Sequence, residues 1–175
     1  MIIDESGFSL ATRRSKGRFS SGTRANSKVR TIRSQNITLI AAMSSNEVCR
    51  LRLHKGDVNQ DMFSKFLEQL FKTLSANENS KYVLVMDNAA FHKTQNVKTL
   101  IENSGHKLLL LPPYSPFLNP IEEVFGQLKS IVKRMSPKNI EDLVKRIEKS
   151  PEELTSQQCQ NYLSHFKSYF ASAHR

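Results

Sequence analysis

The segment Leu108–Lys129, LLLLPPYSPFLNPIEEVFGQLK, constrains the fold of this chain more than any other stretch. A short apolar run stops at a double proline, and a loop then leads into a helix that is expected to begin near Asn119 and Pro120. Asparagine is a favoured N-cap, proline suits the first helical position, and Glu122 occupies the capping-box position. The pattern therefore predicts a strand, a loop and a helix with Glu122 and Glu123 in its first turn.

Helical phase distinguishes these two glutamates. At roughly 100° per residue, Glu123 points away from the apolar face of the helix, whereas Glu122 lies on the flank of that face. Two interpretations of Glu122 remain at this point: a residue that caps the helix and meets its dipole, or a carboxylate that faces a neighbouring sheet edge and takes part in chemistry. The apolar face is predicted to consist of Ile121, Val124, Phe125, Leu128, Ile131, Val132 and Met135.

Two further carboxylates follow apolar segments. Lys81–Asp87, KYVLVMD, is a nearly continuous apolar run ending in an acid, as expected for a central parallel strand buried on both faces. The chain opens with MIID, in which Asp4 follows a short apolar stub, and 34 residues lie between Asp87 and Glu122. Parallel neighbours connected through helices would place the ends of the Asp4 and Asp87 strands side by side.

The remaining patterns alternate between strands and helices. Asn36–Met43 and Val48–Leu53 are predicted to form a hairpin, and the apolar stripe within Phe63–Leu74 predicts a helix of roughly 15 residues. A shorter helix, Thr94–Asn103, and a strand, Lys107–Leu111, precede the Glu122 helix. The order strand, basic loop, strand, strand, helix, strand, helix, strand, helix predicts an α/β fold with a mixed sheet flanked by helices.

The charge of the chain indicates a polyanionic partner. The formal net charge is +10, from 26 Lys and Arg against 16 Asp and Glu, and nucleic acid is the leading candidate. An anionic membrane surface is the alternative, although no segment approaches the roughly 20 apolar residues of a membrane span. Between Ser6 and Asn46 there is no acidic residue, so this segment is either a solvated basic face or a phosphate-contacting segment. The interleaved Phe19 and the neighbouring Asp4 favour the second interpretation.

Histidines and cysteines are scattered. Cys49 and Cys159 form no C-x-x-C pair, and five separate histidines do not resemble a clustered zinc site. Only His92 lies close in sequence to a candidate acid, five residues after Asp87. Its side chain is expected either to contact substrate or a metal-bound water, or to have a structural role.

Three motifs together resemble a known family. IDESGF (3–8), VMDNAAFH (85–92) and LPPYSPFLNPIEEVFGQLK (111–129) are similar, in order and spacing, to DDE transposases of the mariner-like superfamily and related bacterial insertion-sequence transposases. The resemblance implies a ribonuclease-H-like fold, with Asp4, Asp87 and Glu122 as the catalytic, metal-binding acids. It also implies metal-dependent DNA strand cleavage and strand transfer in cut-and-paste transposition, typically into a TA dinucleotide.

Three carboxylates without histidine or cysteine suit Mg²⁺ or Mn²⁺ better than zinc. A pair of ions about 4 Å apart fits in-line displacement at phosphorus, with Asp4 bridging both ions. The expected partners are double-stranded DNA, both transposon ends and target, and a second subunit in a full-length homodimer. The expected location is intracellular, with the DNA, in a nucleus or a bacterial nucleoid or cytoplasm. DNA contacts are predicted for Arg13, Arg14, Lys16, Arg18, Arg24, His92 and Lys129.

The extent of the resemblance predicts the domain organisation. Residues 1–135 are expected to form the catalytic domain, with a truncated first strand because only three residues precede Asp4, whereas strands usually have about five or six. Residues 136–175 are expected to form a helical extension used for packing or dimerisation. The family's amino-terminal helix-turn-helix region is not recognisable, so we expect a fragment, a domain or a truncated reading frame.

Two other functions remain open. One is a domesticated or truncated remnant that binds DNA without catalysis. The other is a metal nuclease of the same fold that acts on RNA–DNA hybrids, although the acid spacing and the PPYSP-x-x-NPIE stretch argue against it.

Overall fold

The structure is a computed structural model that describes residues 1–10, 36–75, 81–113 and 115–173. The basic residues for which DNA contacts are predicted lie outside these ranges, with the exception of His92 and Lys129; they are Arg13, Arg14, Lys16, Arg18 and Arg24.

Five strands of the described chain form one mixed sheet in the order β3-β2-β1-β4-β5. β1 pairs antiparallel with β2, and β2 with β3, whereas β4 is parallel to β1 and β5 is parallel to β4. The predicted hairpin and the predicted parallel neighbours are thus confirmed. The strands are β1 Ile2–Phe8, β2 Ile37–Met43, β3 Val48–Lys55, β4 Val83–Met86 and β5 Lys107–Leu110.

Helices cover both faces of this sheet, which confirms the predicted α/β class. The buried residues of α1 and α2 pack against one face, and those of α3 and α4 pack against the other together with Cys159 of α5. No helix in the described part of the chain is long and apolar enough to cross a membrane. The helices are α1 Gln60–Ser75, α2 Gln95–Asn103, α3 Ile121–Arg134, α4 Ile140–Lys149 and α5 Ser156–Ala173.

Alternation along β1 assigns its side chains to the two faces. Ile3 belongs to the buried cluster beneath α1 and α2, whereas Ile2 and Phe8 belong to the cluster beneath α3. Because successive side chains of a strand point to opposite faces, Asp4 is on the α3 side and Glu5 on the α1 side.

The first strand is longer than its apolar stub suggests. The prediction places its end at Asp4, but β1 continues to Phe8. Residues 6–8 pair with β2, for example Phe8 with Ile37, because the antiparallel neighbour supplies backbone partners where the hydrophobic pattern fades. Asp4 therefore lies within a paired strand, opposite Ala41 of β2.

The helices after α3 share its core. Leu143 and Ile147 of α4, and Cys159 of α5, are buried in the same cluster as Phe125 and Leu128 of α3. This packing agrees with an extension of one domain, while the division at residue 135 stays a prediction.

Candidate active site

The strand register places two of the predicted acids beside each other. Ile2 of β1 pairs in parallel with Val85 of β4. Two residues further along both strands, Asp4 and Asp87 occupy neighbouring positions, and Asp87 directly follows the last residue of β4.

The third acid reaches the same place from α3. Glu122 is the second residue of that helix, and it lines one open cavity of about 460 Å³ together with Asp4 and Asp87. Glu123 points elsewhere, since its Oε1 lies 2.7 Å from Nδ1 of His165 on α5. The structure thus brings the three predicted acids to one cavity and excludes the neighbouring glutamate, as the helical phase predicts.

Asp4 lies at the buried end of the cavity, with only 6% of its surface exposed. Its Oδ1 accepts a hydrogen bond from the Glu5 backbone N–H at 2.7 Å, and its Oδ2 accepts one from Asn119 Nδ2 at 2.6 Å. Burial, followed by the negative charges of Glu5, Asp87 and Glu122, raises the pKa of Asp4 to about 7, against the opposing effect of the Glu5 N–H. Asp4 is therefore a carboxyl group for which ionisation is costly until a cation approaches.

Asn119 has a different role from the predicted one. The residue that precedes α3 is Pro120, and no side chain caps the helix. The Asn119 side chain instead donates to Asp4, which is 115 positions away in sequence. The capping prediction is wrong because a buried carboxylate offers the amide a stronger, charge-assisted acceptor than a backbone N–H offers. The Asn119 Oδ1 atom is buried and has no hydrogen-bond partner among the described residues.

Asp87 is held by the turn that follows β4. Its Oδ1 accepts from the Ala89 backbone N–H at 3.0 Å and lies 2.7 Å from Nδ1 of His92. The hydrogen bond from His92 is the main cause that holds the pKa of Asp87 below its usual value, and burial opposes it. Asp87 is therefore kept ionised, in contrast to Asp4.

His92 is completely buried between two carboxylates. Its Nε2 lies 3.1 Å from Oε1 of Glu5, on the opposite ring edge from Asp87, and its exposure is 0%. Burial lowers the pKa of His92, but the hydrogen bonds with Asp87 and Glu5 outweigh it and raise the pKa to about 9. The predicted DNA contact of His92 does not fit this position, because no part of the side chain reaches solvent.

The three acids share a cavity without forming a preassembled ligand set. Within residues 1–10, 36–75, 81–113 and 115–173, no group of three His, Cys, Asp or Glu side chains is close enough to hold a metal ion. The donor types nevertheless fit a hard cation, since carboxylate oxygens and an amide oxygen are its preferred ligands. The unpartnered Oδ1 of Asn119, a neutral oxygen beside Asp4, strengthens that fit.

Other residues complete the cavity wall or lie away from it. Lys93, Asn88 and Ser115 also line the cavity. Asn88 and Ser115 belong to motifs that carry the family resemblance, although no role was predicted for either residue, and Lys93 follows the second motif directly. Only the adjacency of Lys93 to His92 could have suggested that Lys93 belongs to the site. Lys129, a predicted DNA contact, lies further along α3 with its Nζ 5.8 Å from the centre of the Phe8 ring; its contact with DNA stays a prediction.

A comparison with protein families gives the family of this chain. The family described as DDE superfamily endonuclease matches residues 1–144. The chain belongs to this family. The match covers all three acids and confirms the resemblance on which their assignment rests; a comparison with curated proteins gave no match.

Solved structures similar to this DDE domain support the fold. A pre-cleavage Mos1 transpososome is 18% identical, with a TM-score of 0.80, and the match covers 98% of this chain and 54% of the Mos1 chain. The Mos1 strand transfer complex is 19% identical, with a TM-score of 0.81 and coverage of 97% and 52%. The catalytic domain of Mos1 mariner transposase is 18% identical, with a TM-score of 0.53 and coverage of 94% and 82%. The DDE domain thus has the predicted ribonuclease-H-like fold and spans about half the length of the first two chains.

Proposed function

We propose that this DDE domain is the catalytic part of a transposase, which cleaves DNA strands and transfers them in cut-and-paste transposition. The cavity shared by Asp4, Asp87 and Glu122 carries this proposal. Asp4 lies within a paired strand, Asp87 directly follows a strand, and Glu122 is in the first turn of a helix. Regular elements position functional side chains more accurately than loops do.

Divalent cations, Mg²⁺ or Mn²⁺, are the proposed cofactors, and two ions fit the chemistry. Structures of Mos1 paired-end complexes with Mn and with Mg are among those similar to this chain. Asp4, Asp87 and Glu122 would hold the ions, and Asn119 Oδ1 would offer a further oxygen. Such cations, when bound, activate the attacking water or 3′-hydroxyl and stabilise the leaving oxygen.

The chain's own polar groups prepare the cavity for a phosphodiester. Asn119 and the Glu5 backbone N–H hold the two oxygens of Asp4, so this carboxylate has one orientation. Lys93 is exposed in the cavity wall and adds a positive charge where a DNA phosphate would approach three acids. This charge reduces the repulsion between the acidic site and its anionic substrate.

Double-stranded DNA, both transposon ends and target, is the proposed partner. The net charge of +10 favours it, as do the basic segment between Ser6 and Asn46 and the similarity to a transpososome. A homodimer is proposed for the full-length protein, which would act where its DNA is, in a nucleus or a bacterial nucleoid.

A matched pair of variants on α3 tests the proposed reaction. Glu122→Gln should abolish Mn²⁺-dependent nicking of supercoiled plasmid, because an amide is a much poorer ligand for a hard cation than a carboxylate is. Glu123→Gln should nick at nearly the wild-type rate, since Glu123 contacts His165 outside the cavity. Both side chains are exposed, so melting temperatures should stay close to wild type. Equal loss of nicking in both variants would disprove the assignment, and DNA binding without nicking by the wild type would favour a non-catalytic remnant.

A further inference from the structure

A chain of three charged groups, with the fully buried His92 at its centre, leads to the cavity. Glu5, His92 and Asp87 are linked by the 3.1 Å and 2.7 Å contacts of the two ring nitrogens of His92. Glu5 comes from β1, and His92 comes from the 3₁₀ turn Ala90–Lys93. Glu5 and His92 do not line the cavity, unlike Asp87. They are therefore placed to act on the site only through Asp87.

We infer that Glu5 and His92 are positioning residues that fix the Asp87 carboxylate so that its second oxygen faces the cavity. This inference rests on the proposed function, because it concerns how the chain prepares Asp87 to receive a divalent cation.

The hydrogen bonds of Asp87 are one-sided. Among the described residues, both groups that bond to its carboxylate, the Ala89 N–H and the His92 ring, contact Oδ1. Oδ2 is left without such a partner, while 47% of the side chain is exposed. Two directional bonds to one oxygen restrict rotation of the carboxylate, and the remaining oxygen is then presented on the cavity side.

The orientation of the His92 ring is fixed from several directions. The Phe63 ring lies 4.5 Å from it and the Phe91 ring 4.4 Å, measured between centroids, so aromatic walls exclude water and prevent the ring from turning. Both ring nitrogens face carboxylate oxygens, which only accept hydrogen bonds, so both must donate for the two contacts to be made. Glu5 therefore holds the far edge of the ring and keeps its Nδ1 edge directed at Asp87.

Glu5 serves both candidate ligands from one position in β1. Its backbone N–H holds Oδ1 of Asp4 on the α3 side, and its side chain holds His92 on the α1 side. A stabilising role alone explains this arrangement poorly, since a buried ion pair contributes little net stability compared with well-packed apolar residues. Groups that orient a metal ligand, by contrast, typically change metal affinity on the order of 10- to 100-fold when they are removed.

The test is a Mn²⁺ titration of the 175-residue chain, with binding followed by the loss of the free Mn²⁺ EPR signal. Glu5→Gln keeps the size of the side chain and removes its charge. His92→Gln removes the ring that contacts Oδ1 of Asp87. Both should weaken Mn²⁺ binding about tenfold or more. Ile101→Val is the matched control for lost stability, because Ile101 is buried in the same apolar cluster as Phe63 and its side chain has no polar atom that could bond to the three charged groups. It should lower the melting temperature and leave Mn²⁺ affinity unchanged.

The outcomes separate this inference from the function on which it rests. Affinity of Glu5→Gln within twofold of wild type would overturn the positioning role while leaving the proposed function intact. Wild-type protein that does not bind Mn²⁺ would overturn both. If His92→Gln does not fold, Glu5→Gln decides, because it keeps the volume of the original side chain and removes its charge.

Discussion

Replacing Asp4 by asparagine should stabilise the metal-free protein, although it removes the most buried acid of the candidate site. Burial is the main cause that raises the pKa of Asp4 from 3.8 to about 7. A difference of about 3 pKa units, at roughly 1.4 kcal/mol per unit, sets an upper limit of about 4 kcal/mol on the cost of ionised Asp4. We expect about half of this limit as a gain in the free energy of unfolding, because the substitution also removes charge-assisted hydrogen bonds.

The local hydrogen bonds can adjust to the new amide. Asp4 accepts from the Glu5 N–H through Oδ1 and from Asn119 through Oδ2. In Asp4→Asn, the new side-chain oxygen can keep the Glu5 bond while its NH₂ replaces Oδ2. A rotation of the Asn119 amide by 180° then presents Oδ1 to the new donor; in the wild type this atom has no partner among the described residues. The Asn119 Nδ2 then replaces Oδ1 as the buried Asn119 atom without a partner among the described residues. The number of such atoms on Asn119 does not rise, so the gain from losing the charge is not cancelled.

The gain should depend on pH in a defined direction. The pKa of Asp4 in the folded state lies above its unfolded value, so ionisation opposes folding. The wild type therefore loses stability as pH rises from about 4 to about 7, and the loss is complete above that range. The advantage of Asp4→Asn should be largest at pH 8 and smaller at pH 5.

Urea denaturation in EDTA at both pH values measures this difference. A gain of about 2 kcal/mol at pH 8 corresponds to a rise in melting temperature of about 4–8 °C for a domain of this size. Glu68→Gln, on the exposed face of α1, is the matched control and should change little at either pH. A variant less stable than wild type at pH 8, or an equal gain at both pH values, would refute the reasoning.

Two further predictions concern the ligands of the DDE domain. Millimolar Mg²⁺ or Mn²⁺ should raise the melting temperature of the wild type, because a cation at 100 times its dissociation constant adds about 2.7 kcal/mol to the free energy of unfolding. The melting temperature of Asp87→Ala should stay unchanged, and an unaltered wild-type midpoint would speak against the site. DNA binding should weaken steeply with salt, and a tenfold preference for transposon-end over scrambled duplex would contradict our view that this domain reads phosphates rather than bases. Titrations at two salt concentrations should show lower affinity and a flatter salt slope after alanine replacement of Arg13, Arg14, Arg18 and Arg24.

Much of the fold follows from local patterns. The apolar stripe of α3 is buried as its spacing predicts, except for the partly exposed Met135, and the same spacing separates Glu122 from Glu123. The apolar run before Asp87 forms a strand parallel to β1. Such patterns are readable because helix and strand periodicity depends on residues only a few positions apart.

The sequence by itself therefore determined the class of the fold, the family and the three acids that share the cavity. Only the tertiary structure decided what holds two of those acids. Asn119 bonds to Asp4 across 115 positions and His92 bonds to Glu5 across 87 positions. No periodic pattern in the sequence indicates either pairing. Local patterns predicted an N-cap for Asn119 and a DNA contact for His92. Both side chains instead bond to carboxylates, which are stronger partners than a backbone amide or solvent. Which carboxylate is available depends on strand order and sheet face, and these are properties of the folded chain.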